Sequence, residues 1–265
     1  MNVLYKAVGT SKQSVHQHLN RVMDFMEESN QLLVLIIQIR EDHPRMSSRQ
    51  MYRLLKPVQM GRDRFEVFCF ANGFKVSVKR AYQRTTNTWG VTRFANLLVG
   101  FKFTDVNQVW VSDITYYRIG EKFYYITFIL DRYSRFIVGH STSKTLLTTS
   151  TTLPALRMAL QARKRVDGLI IHSDGGGQYY CKEWLTLTRE HQIRNSMCES
   201  VYENAHAERI NGTIKNDYLV YYSPQNYTEL IALTAKAVLK YNYQRPHQSL
   251  GNISPNEYEK ILAAA

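Results

Sequence analysis

Hydrophobic residues recur at helical spacing through the first 80 residues and change to a strand-like pattern near residue 109. The stretch LYKAVGTSKQSVHQHLNRVMDF is interrupted at Gly9, which suits a helix end, and Ser11 suits the N-cap of the next helix. A second helix pair is predicted in SSRQMYRLLKPV and DRFEVFCFANGF, with Asp63 as the cap of the later helix. Each pair has the helix lengths and the helix-ending residues of a helix-turn-helix, or of a plain helical hairpin.

From Val109 onward, β-branched and aromatic residues dominate. The segments VWVSDITYYRI, KFYYITFILDRYS and RFIVGHSTS, with Gly120 at the first turn, predict a three-stranded meander. A helix in TTLPALRMALQAR, a short buried strand in GLIIHSD, a helix in CKEWLTLTREHQI and a strand in IRNSMCES follow. YENAHAERINGTIKNDYL and TELIALTAKAVLKYNYQ are helical in pattern. This order predicts an α/β fold, in which helices flank a mixed sheet.

The hydrophobic pattern and the charges suggest three parts: a helical region expected to bind a polyanion such as DNA (1–80), a basic linker (81–106) and an α/β domain (107–265). Residues 1–107 hold 16 Lys+Arg against 8 Asp+Glu, or +8, whereas residues 108–265 hold 18 against 14, or +4. A basic front part predicts binding to a polyanion, although surface charge can also serve solubility. Candidate phosphate contacts in this part are Lys12, Lys79 and Arg80.

The cysteines and the apolar runs bear on the compartment. Cys69, Cys181 and Cys198 are far apart and form no CxxC pair, which predicts a reducing compartment. The chain starts without a signal-like segment, and its longest apolar run, Leu32–Ile37, is too short to span a membrane. We therefore expect a cytoplasmic protein that is not attached to a membrane.

Three acidic residues stand out by position. Asp113 lies among apolar and aromatic neighbours in a strand, and Asp174 ends a strand expected beside it. On the helix of ENAHAERINGTIK, Glu208 shares a polar stripe with Asn211 and Lys215. We expect the three carboxylates to converge at one edge of the sheet, where their repulsion calls for cations. Oxygen ligands suit Mg²⁺ or Mn²⁺, and a pair of such ions suits displacement at phosphorus.

Each acidic residue also has a simpler interpretation when it is taken singly. An aspartate before glycines, such as Asp174, is most often a turn former, and Glu208 on an exposed helix could simply be solvated. His172 and Ser173 do not read as a nucleophile pair, because adjacent side chains on a strand point to opposite faces. The glycines after Asp174 lack the Lys-Ser/Thr of a P-loop. Agreement at all three positions favours the metal site.

Five blocks of the sequence resemble the OrfB-type transposases of the IS3 family of bacterial insertion sequences, which have a retroviral-integrase-like core. They are NLLVGFKFTDVNQVWVSDITYY, LDRYSRFIVGH, HSDGGGQYY, ENAHAERINGTIKNDYL and YNYQRPHQSLGNISPNEY, and they span about residues 96–258. The loop between Asp174 and Glu208 is shorter than is usual in that family. We expect this difference to leave the acidic residues in place and to alter contacts with DNA.

The resemblance implies a ribonuclease H-like fold in which Asp113, Asp174 and Glu208 are the catalytic, metal-binding triad. Lys215 matches a basic residue implied to contact DNA near the active site, and Asn211, which lies on the same polar stripe, is a second candidate for DNA contact. The implied reaction is metal-dependent hydrolysis that exposes a 3′-hydroxyl, followed by strand transfer to new DNA.

The implied partners are double-stranded DNA of the element ends and the target, further copies of the chain, and an upstream OrfA protein that is separate or fused by frameshifting. The implied location is the bacterial nucleoid. Two alternatives stay open: a ribonuclease H-like nuclease without strand transfer, and an inactive transposase remnant that only binds DNA.

Overall fold

A computed structural model describes most of the chain and divides it into two compact units, Met1–Lys79 and Arg80–Ala265. The described residues are 5, 7, 9–77, 94–163, 166–174, 176–198 and 205–264. Lys79 and Arg80 lie outside them, as does part of the first predicted helix-turn-helix.

The described part of the first unit contains three helices, α1 (Lys12–Asp42), α2 (Ser48–Leu55) and α3 (Arg62–Ala71). They enclose a small core of residues Leu32, Ile36, Met46, Met51, Met60, Phe65 and Cys69. Lys12 is exposed at the start of α1.

The helix starts in this unit follow local capping chemistry. The predicted N-cap Ser11 is confirmed, because its side chain accepts a hydrogen bond from the Ser14 N–H. The predicted cap Asp63 is wrong: α3 has Gly61 as its N-cap, and the Gly61 carbonyl accepts the Phe65 N–H. Asp63 lies inside the first turn instead, where its carboxylate is 2.8 Å from Arg62 Nε.

In the described part of the second unit, five strands form one mixed sheet in the order β3-β2-β1-β4-β5. They are β1 (Val109–Ile119), β2 (Lys122–Asp131), β3 (Ile137–Ser143), β4 (Ile170–Ser173) and β5 (Arg194–Met197). The predicted meander is confirmed, since β1 to β3 pair antiparallel. β4 pairs parallel to β1 and to β5.

Helices cover both faces of this sheet. They are α4 (Thr152–Ala162), α5 (Lys182–Glu190), α6 (Ala205–Gly212), a π-helical segment (Thr213–Leu219), α7 (Val220–Tyr222), α8 (Tyr227–Tyr243) and α9 (Pro255–Ala264). Short 3₁₀ turns occur at Gly177–Tyr179 and Gln248–Leu250. No helix in the described residues is long and apolar enough to cross a membrane.

Alternation along β1 builds a separate core on each face of the sheet. Val109 and Val111 face a core completed by the α6 and α8 side. Trp110 faces a core completed by α4 and α5. The predicted α/β layer architecture is therefore confirmed.

The second half of the predicted linker packs on the sheet unit. Leu97, Leu98, Phe101 and Phe103 contact the core on the α6 side, and the Leu97 N–H donates to Ser196 Oγ at 2.9 Å. Residues 94–106 thus belong to the second unit, while residues 81–93 lie outside the described residues.

The turn from β2 to β3 is organised by a buried carboxylate. Asp131 accepts hydrogen bonds from the N–H groups of Asn107, Tyr133 and Ser134 at 2.6, 2.9 and 3.0 Å. Burial raises the pKa of Asp131, and these hydrogen bonds oppose that shift. The side chain holds the turn that carries Arg132 and Arg135.

Gly139 marks the closest approach of β3 to α4. A Cβ at this position would lie 2.1 Å from the Ala155 carbonyl oxygen and 3.0 Å from the Ala159 Cβ. Gly139→Ala is therefore expected to lower the free energy of unfolding by about 3 kcal/mol, because backbone must move to relieve the overlap. Differential scanning calorimetry measures this loss as a drop in Tm.

Gly212→Ala is the matched control, since Gly212 is helical (φ −59°) and its Cβ would meet only Asn216 Nδ2, at 3.9 Å. This variant is expected to gain about 0.5–1 kcal/mol. An unchanged Tm in Gly139→Ala would contradict the described contact between β3 and α4.

Candidate active site

Asp113 and Asp174 come level with each other because β1 and β4 are parallel neighbours. The register pairs Val111 with His172, and each aspartate follows two residues later. Neighbouring strands lie about 4.8 Å apart, and a step of two residues returns to the same face of the sheet. The structure thus brings two carboxylates together at the end of the β1–β4 ladder.

The carboxyl group of Asp113 is held in an environment that disfavours its negative charge. Burial, and after it the charge of Asp174, raises the pKa of Asp113 to about 8, and Glu208 adds a weaker effect in the same direction. The Ile114 N–H and the Asn211 amide donate to Asp113 at 2.9 and 2.7 Å and oppose the shift. An added positive charge would therefore be strongly favourable here.

Asp174 lies at the start of the glycine-rich loop. Its Oδ1 accepts the Gly176 N–H at 3.1 Å. A Cβ on Gly176 would lie 3.4 Å from this oxygen and 3.1 Å from Gln178 Oε1, so glycine leaves room beside the carboxylate. Burial raises the pKa of Asp174, and the backbone N–H groups counteract part of this effect. Gly175 lies outside the described residues.

Glu208 is exposed in the first turn of α6. Its orientation follows from the other side of the helix, where an apolar stripe is buried and packs into the core: Ala207, Ile210, Ile214 and Tyr218. Its charge reaches Asp113, although less strongly than the charge of Asp174.

Asn211 lies one turn after Glu208 and is 7% exposed. Its Nδ2 donates to Asp113 Oδ2 at 2.7 Å, whereas its Oδ1 is buried and has no hydrogen-bond partner among the described residues. The sequence pattern assigned Asn211 to DNA. The structure directs its amide to the carboxylate of Asp113.

Lys215 lies on the π-helical segment that follows α6. Its Nζ is 4.3 Å from the centroid of the Tyr116 ring, and burial lowers its pKa. Lys12, the other described candidate for DNA contact, belongs to the first unit.

The sequence pattern did not identify Tyr116 and Tyr179 as part of this region. The Tyr179 hydroxyl is 3.0 Å from Ser112 Oγ, and the buried ring stacks edge-on against Trp184. Burial raises the pKa of Tyr179 well above its usual value, and Asp174 and Asp113 raise it further. Ser112 is a polar residue in a buried strand, so a hydrogen-bond partner for its hydroxyl is to be expected. The local sequence does not identify that partner, because it lies 67 residues away.

Oxygen atoms dominate the polar side chains at this place. Asp113, Asp174 and Glu208 supply carboxylates, and Asn211 adds a carbonyl oxygen. Among the residues described, no three His, Cys, Asp or Glu side chains are grouped so as to hold a metal ion.

Known protein families match the part of the chain that contains the sheet and the three acidic residues. Two profiles of the Integrase core domain match residues 104–201 and 189–255, which include the strands of the sheet and α6. A chain of the simian T-cell lymphotropic virus intasome, solved in complex with PP2A regulatory subunit B56 gamma, superposes with a TM-score of 0.50. At 18% identity, over 57% of this chain and 54% of that one, this similarity shows the fold alone.

Two relatives from insertion elements extend the comparison. The uncharacterized 31 kDa protein of insertion element IS600 from Shigella sonnei is 34% identical over 206 residues, or 76% of this chain and 75% of that protein. Transposase InsF of insertion sequence IS3A from Escherichia coli K12 is 32% identical over 157 residues, and the chain spans about half of its length (54%). The chain therefore belongs to the IS3-type insertion-sequence transposases, with an integrase-like catalytic core of ribonuclease H-like fold.

Proposed function

We propose that the chain cleaves DNA at the ends of an insertion element and joins the exposed 3′-hydroxyl to target DNA, with Asp113, Asp174 and Glu208 as its catalytic metal ligands. The supporting observation is the carboxyl group of Asp113, whose pKa is raised to about 8 by burial and by the two other acids. Carboxylates that disfavour one another's charge in a buried place gain most from a bound cation.

The donor chemistry of these residues suits such a cation, although in the described residues the three carboxylates are not grouped so as to hold one. Carboxylate and amide oxygens are the ligands that Mg²⁺ and Mn²⁺ prefer. The unpartnered, buried Oδ1 of Asn211 adds an oxygen beside Asp113. When bound, one or two such ions would activate the oxygen that attacks phosphorus and stabilise the oxygen that leaves it.

The chain's own residues orient the reacting groups. The Ile114 N–H and the Asn211 amide hold one Asp113 oxygen each, which limits the rotation of that carboxylate. Lys215, supported by the Tyr116 ring, supplies a positive charge for a DNA phosphate. Gly176 leaves space next to Asp174 for the approach of the DNA backbone.

The proposed partners follow from the family and from the charge distribution. The substrates are the element ends and the target, both double-stranded DNA, with Lys12, Lys79 and Arg80 contacting phosphates in the basic front part. We further propose that copies of the chain assemble on DNA, with an OrfA protein as separate or fused partner, in the cytoplasm at the nucleoid. Membership of a transposase family favours this function over a nuclease or an inactive remnant.

Replacing the central carboxylate tests the reaction. Asp113→Asn is expected to lower strand cleavage and joining by about 10³-fold or more, because a charged ligand at the reacting phosphate is lost. Binding of element-end duplexes in EDTA is expected to stay within twofold. Labelled duplexes made from the ends of the encoding element, incubated with supercoiled plasmid and Mg²⁺, measure both steps.

Asp105→Asn is the matched control, since Asp105 is exposed before β1, and it is expected to keep full activity. Normal joining by Asp113→Asn would refute the assignment of the triad. Cleavage without joining by the unaltered protein would support the nuclease, and binding without either step would support the remnant.

Asp113 also makes the stability of the metal-free protein depend on pH. An unfolded aspartate has a pKa of about 3.9, whereas the folded protein keeps this proton up to a pKa of about 8. The folded protein therefore holds the Asp113 proton more tightly than the unfolded chain does. In EDTA, this difference stabilises the fold fully below about pH 4, and the stabilisation is lost as the pH rises to about 8. Asp113→Asn is expected to unfold at a higher temperature than the unaltered protein at pH 8.

Thermal unfolding between pH 5 and 8, with EDTA or with Mg²⁺, measures the difference between the two proteins. Mg²⁺ is expected to raise the Tm of the unaltered protein at pH 8 and to leave Asp113→Asn nearly unchanged. A difference between the two proteins that does not vary with pH would contradict the raised pKa.

Asn211 can be tested as a residue that positions Asp113. Asn211→Ala is expected to slow joining by about 10–100-fold, because outer hydrogen bonds to metal ligands have effects of this size. Its affinity for DNA in EDTA should not change, whereas Lys215→Ala should weaken that affinity. A parallel loss of affinity and rate in Asn211→Ala would instead make Asn211 a DNA contact.

A further inference from the structure

A group of positive side chains surrounds His206 near the start of α6, and none of the roles proposed above uses it. Arg209 follows Glu208 on α6, and Arg132 and Arg135 lie in the turn between β2 and β3. These three residues are called the arginine cluster below. Arg135 Nη1 is 2.8 Å from His206 Nδ1, which connects the turn to α6.

The geometry of α6 places this cluster beside the acidic residues rather than among them. At about 100° per residue, Glu208 and Asn211 share one flank of the helix, whereas His206 and Arg209 share the other. Gly212 lies between the two flanks on the outer surface, where an added Cβ would meet little. A chain of phosphates that crosses α6 at Gly212 therefore reaches both flanks without an intervening side chain.

The cluster carries an excess of positive charge. Two carboxylates near the turn are engaged elsewhere: Asp131 accepts backbone N–H groups, and Glu259 is 2.7 Å from Arg163. Among the described residues, no ion pair includes a member of the arginine cluster. Its charge is thus available to an external anion.

Arg135 and Arg132 are held in place at an energetic cost. Arg135 adopts φ 64°, in the left-handed region that non-glycine residues seldom use. Burial lowers its pKa and the charges of Arg132 and Arg209 act in the same direction, whereas Tyr241 and Asp131 oppose the shift. The Arg132 guanidinium lies 4.6 Å from the Phe103 ring centroid, and its Nε is buried with no hydrogen-bond partner in the described residues. A bound anion would offset the electrostatic part of this cost, the burial of like charges side by side.

We propose that the arginine cluster holds a backbone phosphate of the DNA that lies across α6 toward Asp113 and Glu208. Guanidinium groups match phosphate oxygens in paired hydrogen bonds, and Arg132 and Arg135 are pre-oriented by Phe103 and His206. The inference rests on the proposed function in taking DNA as the polyanion, and it adds a contact site on the second flank of α6. A phosphate contact of this kind sets the position of the DNA without reading its sequence.

Salt dependence of DNA binding tests the site. Arg209 is exposed, so Arg209→Gln should leave the fold intact. The full chain binds a fluorescent duplex of arbitrary sequence in EDTA, at salt concentrations from about 50 to 200 mM. For Arg209→Gln, the slope of the logarithm of the association constant against the logarithm of the salt concentration is expected to fall by about 0.9 in magnitude, as for one lost phosphate contact. The loss of affinity is expected to be equal for duplexes of different sequence.

Two further variants serve as controls. Arg189→Gln removes the same charge from an exposed arginine at the end of α5 and is expected to keep the slope. Arg209→Lys retains a positive charge and is also expected to keep the slope. Equal slopes in Arg209→Gln and the unaltered protein would refute the phosphate contact. A slope in Arg209→Lys as low as in Arg209→Gln would also refute it.

The two proposals can fail separately, because binding is measured without metal. Loss of joining in Asp113→Asn with an unchanged slope in Arg209→Gln would refute the phosphate site and support the proposed reaction. Normal joining in Asp113→Asn with a reduced slope in Arg209→Gln would refute the assigned triad and support the phosphate site.

Discussion

The parallel register between β1 and β4 places the two aspartates around which the other groups of the site are arranged. It pairs Val111 with His172 and so brings Asp113 level with Asp174, the neighbour whose charge acts most strongly on it. A slip of one residue would turn every side chain of β4 to the other face and separate the two carboxylates. His172 helps hold this short strand, since its Nδ1 is 2.9 Å from Ser196 Oγ on β5.

Packing of α6 against the sheet supplies the remaining groups around this pair. Ala207 and Ile210 are each 4% exposed in the core, so the neighbouring positions on the helix must face outward or toward β1. Asn211 thereby meets Asp113, and Glu208 is left accessible. The same helix carries acidic and basic groups on opposite sides of its buried stripe. One element thus connects the carboxylates with the arginine cluster.

Much of this could be read from local patterns. Runs of β-branched and aromatic residues identified the strands, and helical spacing identified the helices, because both signals depend on neighbours in the chain. The start of α3 was misread, since Asp63 and Gly61 both suit a helix start and local preference does not decide between them. The segment 94–106 forms neither a helix nor a strand, so its apolar residues show no regular spacing even though they pack against the core.

The order of the elements, and the three acidic residues in unusual surroundings, could be identified without the three-dimensional structure. These are local properties, written in spacing and neighbouring residue types. The folded chain, in contrast, is needed to bring the Asn211 amide to Asp113 across 98 positions and the Tyr179 hydroxyl to Ser112 across 67. It also decided the pKa of Asp113, because burial and the charge of Asp174 depend on which strands and helices come together.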